Sequence, residues 1–183
     1  MVGFHLRHRT TLDLDLFTIE DLIDEGEQAL LEIARALDVG IERLRTSSDF
    51  RRFLLTRGAE SLVVDLVRDL APQIDEDKIE IDGIRVDSTR EIMANKLCTL
   101  LSRAELRDLV DVRALENEGL SVEEHLPLAA EKDAGLTAGQ LAWVLSQIEI
   151  GDDATPPGGM SAFELRSFVE GLIRRLTAMA FPG

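Results

Sequence analysis

The chain has 183 residues, 45% hydrophobic and 30% charged, a composition that excludes a disordered chain and suits one compact unit or two tightly docked lobes. With 35 acidic against 20 basic residues the net charge is −15, which excludes broad, sequence-independent binding to nucleic acid and leaves only local basic patches, HLRHR at 5–9 and RLRTSSDFRR at 43–52, to meet phosphate. Cys98 is the single cysteine, so an internal disulfide and a cysteine-based metal site are excluded; with no apolar run near the roughly 20 residues of a membrane span and no signal-peptide core, a cytoplasmic protein is expected.

In chain order, the first element is a strand at DLDLF, 13–17. Alternation sends Leu12, Leu14 and Leu16 to one face and Asp13, Asp15 and Phe17 to the other, so the two acids sit together. A Ser or Thr followed three residues later by an acid or Gln then marks six helix starts: Thr18 with Asp21, Ser88 with Glu91, Ser102 with Glu105, Ser121 with Glu124, Thr137 with Gln140, and Ser161 with Glu164. The first helix carries Ile19, Leu22, Ile23, Gly26, Leu30, Ile33 and Leu37 as its packing stripe. The period then changes to two. FRRFLLT at 50–56 and SLVVDLVRD at 61–69 read as a hairpin, and KIEIDGIRVD at 78–87 as a tighter one turning on Asp82-Gly83. From Ser88 onward only helices are expected, the last detached by the loop GDDATPPGG at 151–159. The expected fold is α+β, with a small mixed sheet and flanking helices in residues 1–87 and a helical lobe in 88–183.

Three acids and a lysine carry the chemistry. Asp65 lies in an otherwise apolar strand, where an acid is costly unless paired or metal-bound. If that strand neighbours DLDLF, then Asp13, Asp15 and Asp65 converge, and such hard oxygen ligands suit Mg²⁺ bridging to substrate phosphates in phosphoryl or nucleotidyl transfer. The plainer reading makes Asp13 and Asp15 an exposed face and pairs Asp65 with an arginine such as Arg52. Lys96 falls within the stripe of Ile92, Met93, Leu97, Leu100 and Leu101, where it either snorkels to the edge or serves a buried anion such as a nucleotide phosphate. Asp108 and Asp111 share one helix face beside Arg107; on their spacing alone they read as structural, solvated or bonded to Arg103, Arg107 or Arg113. Cys98 and Trp143 read as core. His5 and His8 read as a phosphate-facing or solvated basic patch, and the 160–180 helix carries Phe163, Leu165, Phe168, Val169, Leu172, Leu176 and Met179 on a face that packs on the lobe or binds a partner.

Taken together, EIMANKLCTLLSRAELRDLVDVRAL and HRTTLDLDLFT resemble the AbiEii/AbiGii family of nucleotidyltransferase toxins of abortive-infection and toxin–antitoxin operons. That pattern has a histidine and arginine before D-x-D, an aromatic and Thr, then an acid on a strand, a lysine helix, an arginine and R-D-x-x-D. Here these are His8 and Arg9, Asp13 and Asp15, Phe17 and Thr18, Asp65, Lys96, Arg103, and Arg107 with Asp108 and Asp111. The resemblance implies that Asp13, Asp15 and Asp65 hold Mg²⁺ on a nucleoside triphosphate, that Arg9, Lys96 and Arg107 contact the nucleotide, and that Asp65, Lys96 and Asp108 form the catalytic set, Asp108 as a base or as the group positioning Lys96. It implies transfer of a nucleotide to a macromolecular acceptor, tRNA ahead of protein, under control of an antitoxin, with no membrane involved. The family's Gly-Gly or Gly-Ser turn ahead of D-x-D is not matched in MVGFHLRHR; a late start codon, a truncated gene, or a second chain supplying the turn is expected. The competing expectations are an inactive remnant acting as a binding or regulatory module, and a structural helical adaptor.

Overall fold

A computed structural model describes residues 5, 6, 8, 13–75, 78–81 and 83–182. The chain parts into two compact units, Thr11–Leu70 and a second made of Met1–Thr10 with Ala71–Gly183. The α+β class read from the sequence is the observed one, with a four-stranded mixed sheet and a two-stranded hairpin among helices.

In the Thr11–Leu70 unit the elements are β1 (Asp13–Thr18), α1 (Ile23–Ala36), β2 (Gly40–Thr46), β3 (Phe50–Arg57) and β4 (Glu60–Arg68). The sheet order is β1-β4-β3-β2, with β1 parallel to β4 and the other pairs antiparallel. The β3–β4 hairpin expected from FRRFLLT and SLVVDLVRD is present, and Gly58 takes a φ of 62° in its turn, where a side chain would be strained. On one face Phe53, Val64 and Leu66 pack with Ile23 and Leu30 of α1. Leu14 and Leu16, in register with Val64 and Leu66, share that face but lie on the edge strand, each 40% exposed.

Two expectations for this unit are corrected. The helix starts at Ile23 rather than after Thr18, because Thr18 is still paired in β1 and its carbonyl accepts the Asp69 amide. Its buried stripe is Ile23, Glu27, Leu30 and Ala34; Ile19, Leu22, Ile33 and Leu37 are exposed. Glu27 takes a core position because Arg43 and Arg51, reaching from the sheet, both pair with it.

The second unit contains β5 (Ile79–Ile81), β6 (Ile84–Val86), α2 (Thr89–Ser102), α3 (Leu106–Asn117), α4 (Val122–Lys132), α5 (Ala138–Ser146), a short 3₁₀ turn (Pro157–Gly159) and α6 (Ala162–Ala180). β5 and β6 pair antiparallel with Gly83 in the left-handed region at their turn; Asp82, named with it in the sequence, lies outside the described residues. Ser88, Ser121, Thr137 and Ser161 cap their helices, accepting from the amides of Glu91, Glu124, Gln140 and Glu164. Ser102 does not: α2 runs through it, and Glu105 stands at the N-cap of α3. Residues 71–87 group with the helices rather than with the sheet, since the buried Glu91 carboxylate accepts the amides of Ile74 at 2.7 Å and Asp75 at 3.2 Å and pairs with Lys132.

The core is built from all five helices, with Met93, Leu97, Leu100, Leu109, Leu115, Leu141, Leu165, Leu172 and Leu176 excluded from solvent. Cys98 packs partly against it, its thiol donating to the Ala129 carbonyl at 3.4 Å. Trp143 and Phe163, expected in the packing faces, are instead exposed at 65% and 71%. Leu141, Leu145 and Leu165 take the inward positions on those helices and turn the aromatics outward. No helix among the described residues is long and apolar enough to cross a membrane.

Candidate functional site

Two charged constellations stand out, one in each unit. The first lies on the sheet face opposite α1. Asp15 of β1 is in register with Asp65 of β4, Asp65 with Arg52 of β3, and Arg52 with Arg45 of β2, so the four form one line across the strands. Asp13 is two residues from Asp15 and on the same face. Asp13, Asp15 and Asp65 therefore share one face of the sheet, with Asp15 directly opposite Asp65 and Asp13 opposite Val63.

Asp65 is nearly buried, and Arg52 claims both of its oxygens: Nε donates to Oδ1 at 2.8 Å and Nη2 to Oδ2 at 2.6 Å. This is the bidentate arrangement in which a carboxylate is held most firmly. Arg52 is pushed above the ordinary arginine value, first by the hydrogen bond to Asp65, then by the charges of Asp65, Asp15 and Asp13, with burial acting the other way. Its guanidinium carbon also stands 5.6 Å from the centroid of the Phe50 ring, and that of Arg45 5.9 Å from the same ring. Thus the pairing of Asp65 with Arg52, weighed in the sequence against a metal role, is present. Among the described residues no three His, Cys, Asp or Glu side chains are arranged to hold a metal ion. Mg²⁺ is commonly bound through one or two carboxylates plus substrate phosphates and water, the chemistry that a pair such as Asp13 and Asp15 would offer, whereas Asp65 already has its counterion in Arg52.

The second constellation joins α2 to α3. α2 ends at Ser102, Arg103 caps it, Ala104 adopts a φ of 45°, and α3 starts at Leu106. This tight reversal brings Lys96, on α2, against the start of α3. Lys96 Nζ donates to Asp108 at 2.9 Å and lies 2.6 Å from Asp111, both aspartates being wholly buried. Arg103 Nε donates to the other Asp108 oxygen at 3.2 Å, and His8 Nε2 stands 2.7 Å from Asp111 Oδ1. Asp108, in the first turn of α3, also benefits from the positive end of that helix. Two buried carboxylates are thereby balanced by Lys96, Arg103 and His8. An ammonium has three N–H donors, and these contacts use two of them.

His8 and Asp111 belong to this group although the spacing of Asp108 and Asp111 reads as structural, and although His8 reads as phosphate-facing or solvated. His5, its neighbour in that patch, instead meets the Asp87 carbonyl at 2.8 Å. The signal for Asp111 was its position one turn from Asp108 within an apolar run that includes Leu109, Val110 and Val112. Arg107 Nε lies 2.8 Å from a Glu105 oxygen at the helix surface. Arg9 lies outside the described residues.

The family model described as "Nucleotidyl transferase AbiEii toxin, Type IV TA system" matches residues 1–179. No curated protein matches the chain. Among solved structures the fold is similar to the crystal structure of JHP933 from Helicobacter pylori, with a TM-score of 0.52 over 98% of this chain and 82% of that one, at 17% sequence identity.

Proposed function

Because this chain belongs to the AbiEii nucleotidyltransferase toxin family of type IV toxin–antitoxin systems, we propose that it transfers a nucleotide from a nucleoside triphosphate to a macromolecular acceptor, tRNA ahead of protein, with Mg²⁺. The observation that carries this reading beyond family membership is the Lys96 ammonium, fixed by two buried aspartates with one donor unspent. A cation held so firmly suits a phosphate oxygen and needs no reorganisation when charge develops on it.

In the reaction, an acceptor hydroxyl oxygen bonds to the α-phosphorus and gives its proton to solvent water, the bond from that phosphorus to the bridging oxygen breaks, and pyrophosphate leaves. Mg²⁺, when bound, neutralises charge on the triphosphate and on the departing pyrophosphate. Asp13 and Asp15 are its ligands from this chain. Lys96 donates its third N–H to the triphosphate. Asp108 is the group that positions Lys96 rather than the base, since Lys96 and Arg103 occupy its two oxygens in a buried setting. Asp111 holds Lys96 from the other side with His8 behind it. Arg9 and Arg107 are proposed as further nucleotide contacts, and an antitoxin as the controlling partner.

The test is Mg²⁺-dependent transfer of label from each α-labelled triphosphate to total tRNA and to cell lysate, for the wild type and for the Asp13→Ala/Asp15→Ala chain. Label from one nucleotide that disappears in the variant supports the enzyme and names its donor and acceptor class. No label with any nucleotide on either acceptor overturns it and favours a second reading, a binding or regulatory module, to which the closure of Asp65 by Arg52 gives support.

A further inference from the structure

We propose that the sheet face opposite α1 is a platform for a single-stranded stretch of the RNA acceptor, whose bases stack on Phe50 and Phe17 while a phosphate meets Arg45. The proposal rests on the nucleotidyltransferase reading and deepens it by giving the acceptor a surface of its own.

The basic stretch RLRTSSDFRR at 43–52 supplies the first observation. Three of its four arginines are spent on acids, Arg43 and Arg51 on Glu27 and Arg52 on Asp65. Arg45 is exposed and pairs with no acid among the described residues; what it meets is the Phe50 ring, 5.9 Å from its guanidinium carbon to the centroid. A guanidinium laid on an aromatic ring keeps its N–H donors for another acceptor, and phosphate matches that fork. Strand register supplies the second observation. Phe50 of β3 and Phe17 of β1 both stand opposite Val67 of β4, so the three form an apolar row beside the line of Arg45, Arg52, Asp65 and Asp15. Phe17 is 50% exposed and Phe50 is half-buried. Two strand spacings, about 9.6 Å, part the rings, so each has room for its own base. Unpaired bases stack on such an exposed aromatic row with arginine beside it, whereas the bases of a duplex are already stacked on one another. Charge sets the direction. The cations lie toward β2 and β3 and the acids toward β1, which places the phosphates over Arg45. At a net charge of −15 stacking has to supply most of the affinity, so binding should depend only weakly on salt.

The plain alternative is a surface cation–π cluster that only steadies β2 against β3. A short, fluorescently labelled single-stranded RNA is titrated with the full chain in the absence of triphosphate and followed by anisotropy, beside the same RNA annealed to its complement. The single strand should bind more tightly than the duplex. Phe50→Leu and Phe17→Leu should each weaken binding roughly 5–100-fold, and Arg45→Gln should lower the slope of log affinity against log salt by about 0.7. Arg57→Gln, which removes the same charge from the far end of β3, should bind as the wild type does. A wild type that does not bind, equal affinity for the duplex, or folded Phe50→Leu and Arg45→Gln chains that bind unchanged each overturn the proposal. Arg45 is exposed, so Arg45→Gln decides the matter even if Phe50→Leu does not fold. Label transferred to protein and not to tRNA overturns the platform while sustaining the enzyme, and RNA that binds as expected but takes no label overturns its role as acceptor, so the two readings fail separately.

Discussion

Lys96→Met is the perturbation that most directly separates a held ammonium from one that merely reaches solvent. In the structure Lys96 lies 2.9 Å from Asp108 and 2.6 Å from Asp111, and both carboxylates are fully buried. Removing one partner of a buried ion pair costs about 3–5 kcal/mol, because a charge is left in low dielectric without its counterion. Asp108 keeps Arg103 and Asp111 keeps His8, so the lower end applies, and about 3 kcal/mol corresponds to a fall in melting temperature of roughly 6–12 °C for a chain of this size. Urea unfolding followed by circular dichroism measures this, with an unchanged denaturant slope showing that the folded state is intact. Lys96→Met/Asp111→Asn should lose less than the two single changes together, with a coupling of about 1–3 kcal/mol. Nucleotide transfer should be absent from both chains, so activity does not follow stability. A Lys96→Met chain within about 1 kcal/mol of the wild type would refute the reasoning and return Lys96 to a snorkelling side chain.

The remaining predictions concern the second unit's other buried and capping groups. Lys132→Met leaves Glu91 buried with only two backbone amides as partners and should cost about 3 kcal/mol in urea unfolding, whereas Lys132→Met/Glu91→Gln should recover part of that loss. Ser161→Ala removes the acceptor for the Glu164 amide and should cost about 1 kcal/mol, seen as faster hydrogen exchange confined to the first turn of α6. The Ser161 backbone amide, and then the Ser161 hydroxyl, hold the Glu164 carboxyl below its usual range. A depressed folded value contributes stability above the unfolded value that is lost as pH falls through the folded one, so the protection of that turn relative to the intrinsic exchange rate should fall below about pH 4.3 in the wild type and show no such step in Glu164→Gln.

How far the sequence could be read depends on whether a signal is local. Ser88, Ser121, Thr137 and Ser161 cap their helices because the cap is a contact across three residues, and it needs no other part of the chain. Thr18 and Ser102 carry the same pattern and fail for tertiary reasons: one is held in a sheet by β4, the other is consumed by continuation of α2. Strand β2 was not legible at all. Its pairing with β3 shifts between Arg43 and Arg45, so Leu44 interrupts the alternation that marks a strand, and GIERLRT reads as a basic stretch instead. With β2 unseen, the second arginine against Phe50 could not be placed. The burial of Glu27 was equally hidden, because the arginines that permit it come from strands 16 and 24 residues away.

Both constellations show why acids were easier to find than the cations they hold. An aspartate in an apolar run announces itself, since burial of a charge without a partner is too costly to be accidental. Which cation answers it is decided by strand register or by the turn between helices, and neither is written in spacing alone. Asp65 selects Arg52 through the β3–β4 pairing, and Asp108 with Asp111 selects Lys96 through the reversal at Ala104. In each case the acids contribute by orienting a cation, with guanidinium or ammonium donors left over after the acids are satisfied. For a reaction whose substrate is a chain of phosphates, the oriented cation is the chemically useful product of that arrangement. Asp13 and Asp15, on the same sheet face as the Asp65–Arg52 pair, are the carboxylates proposed to take the metal ion.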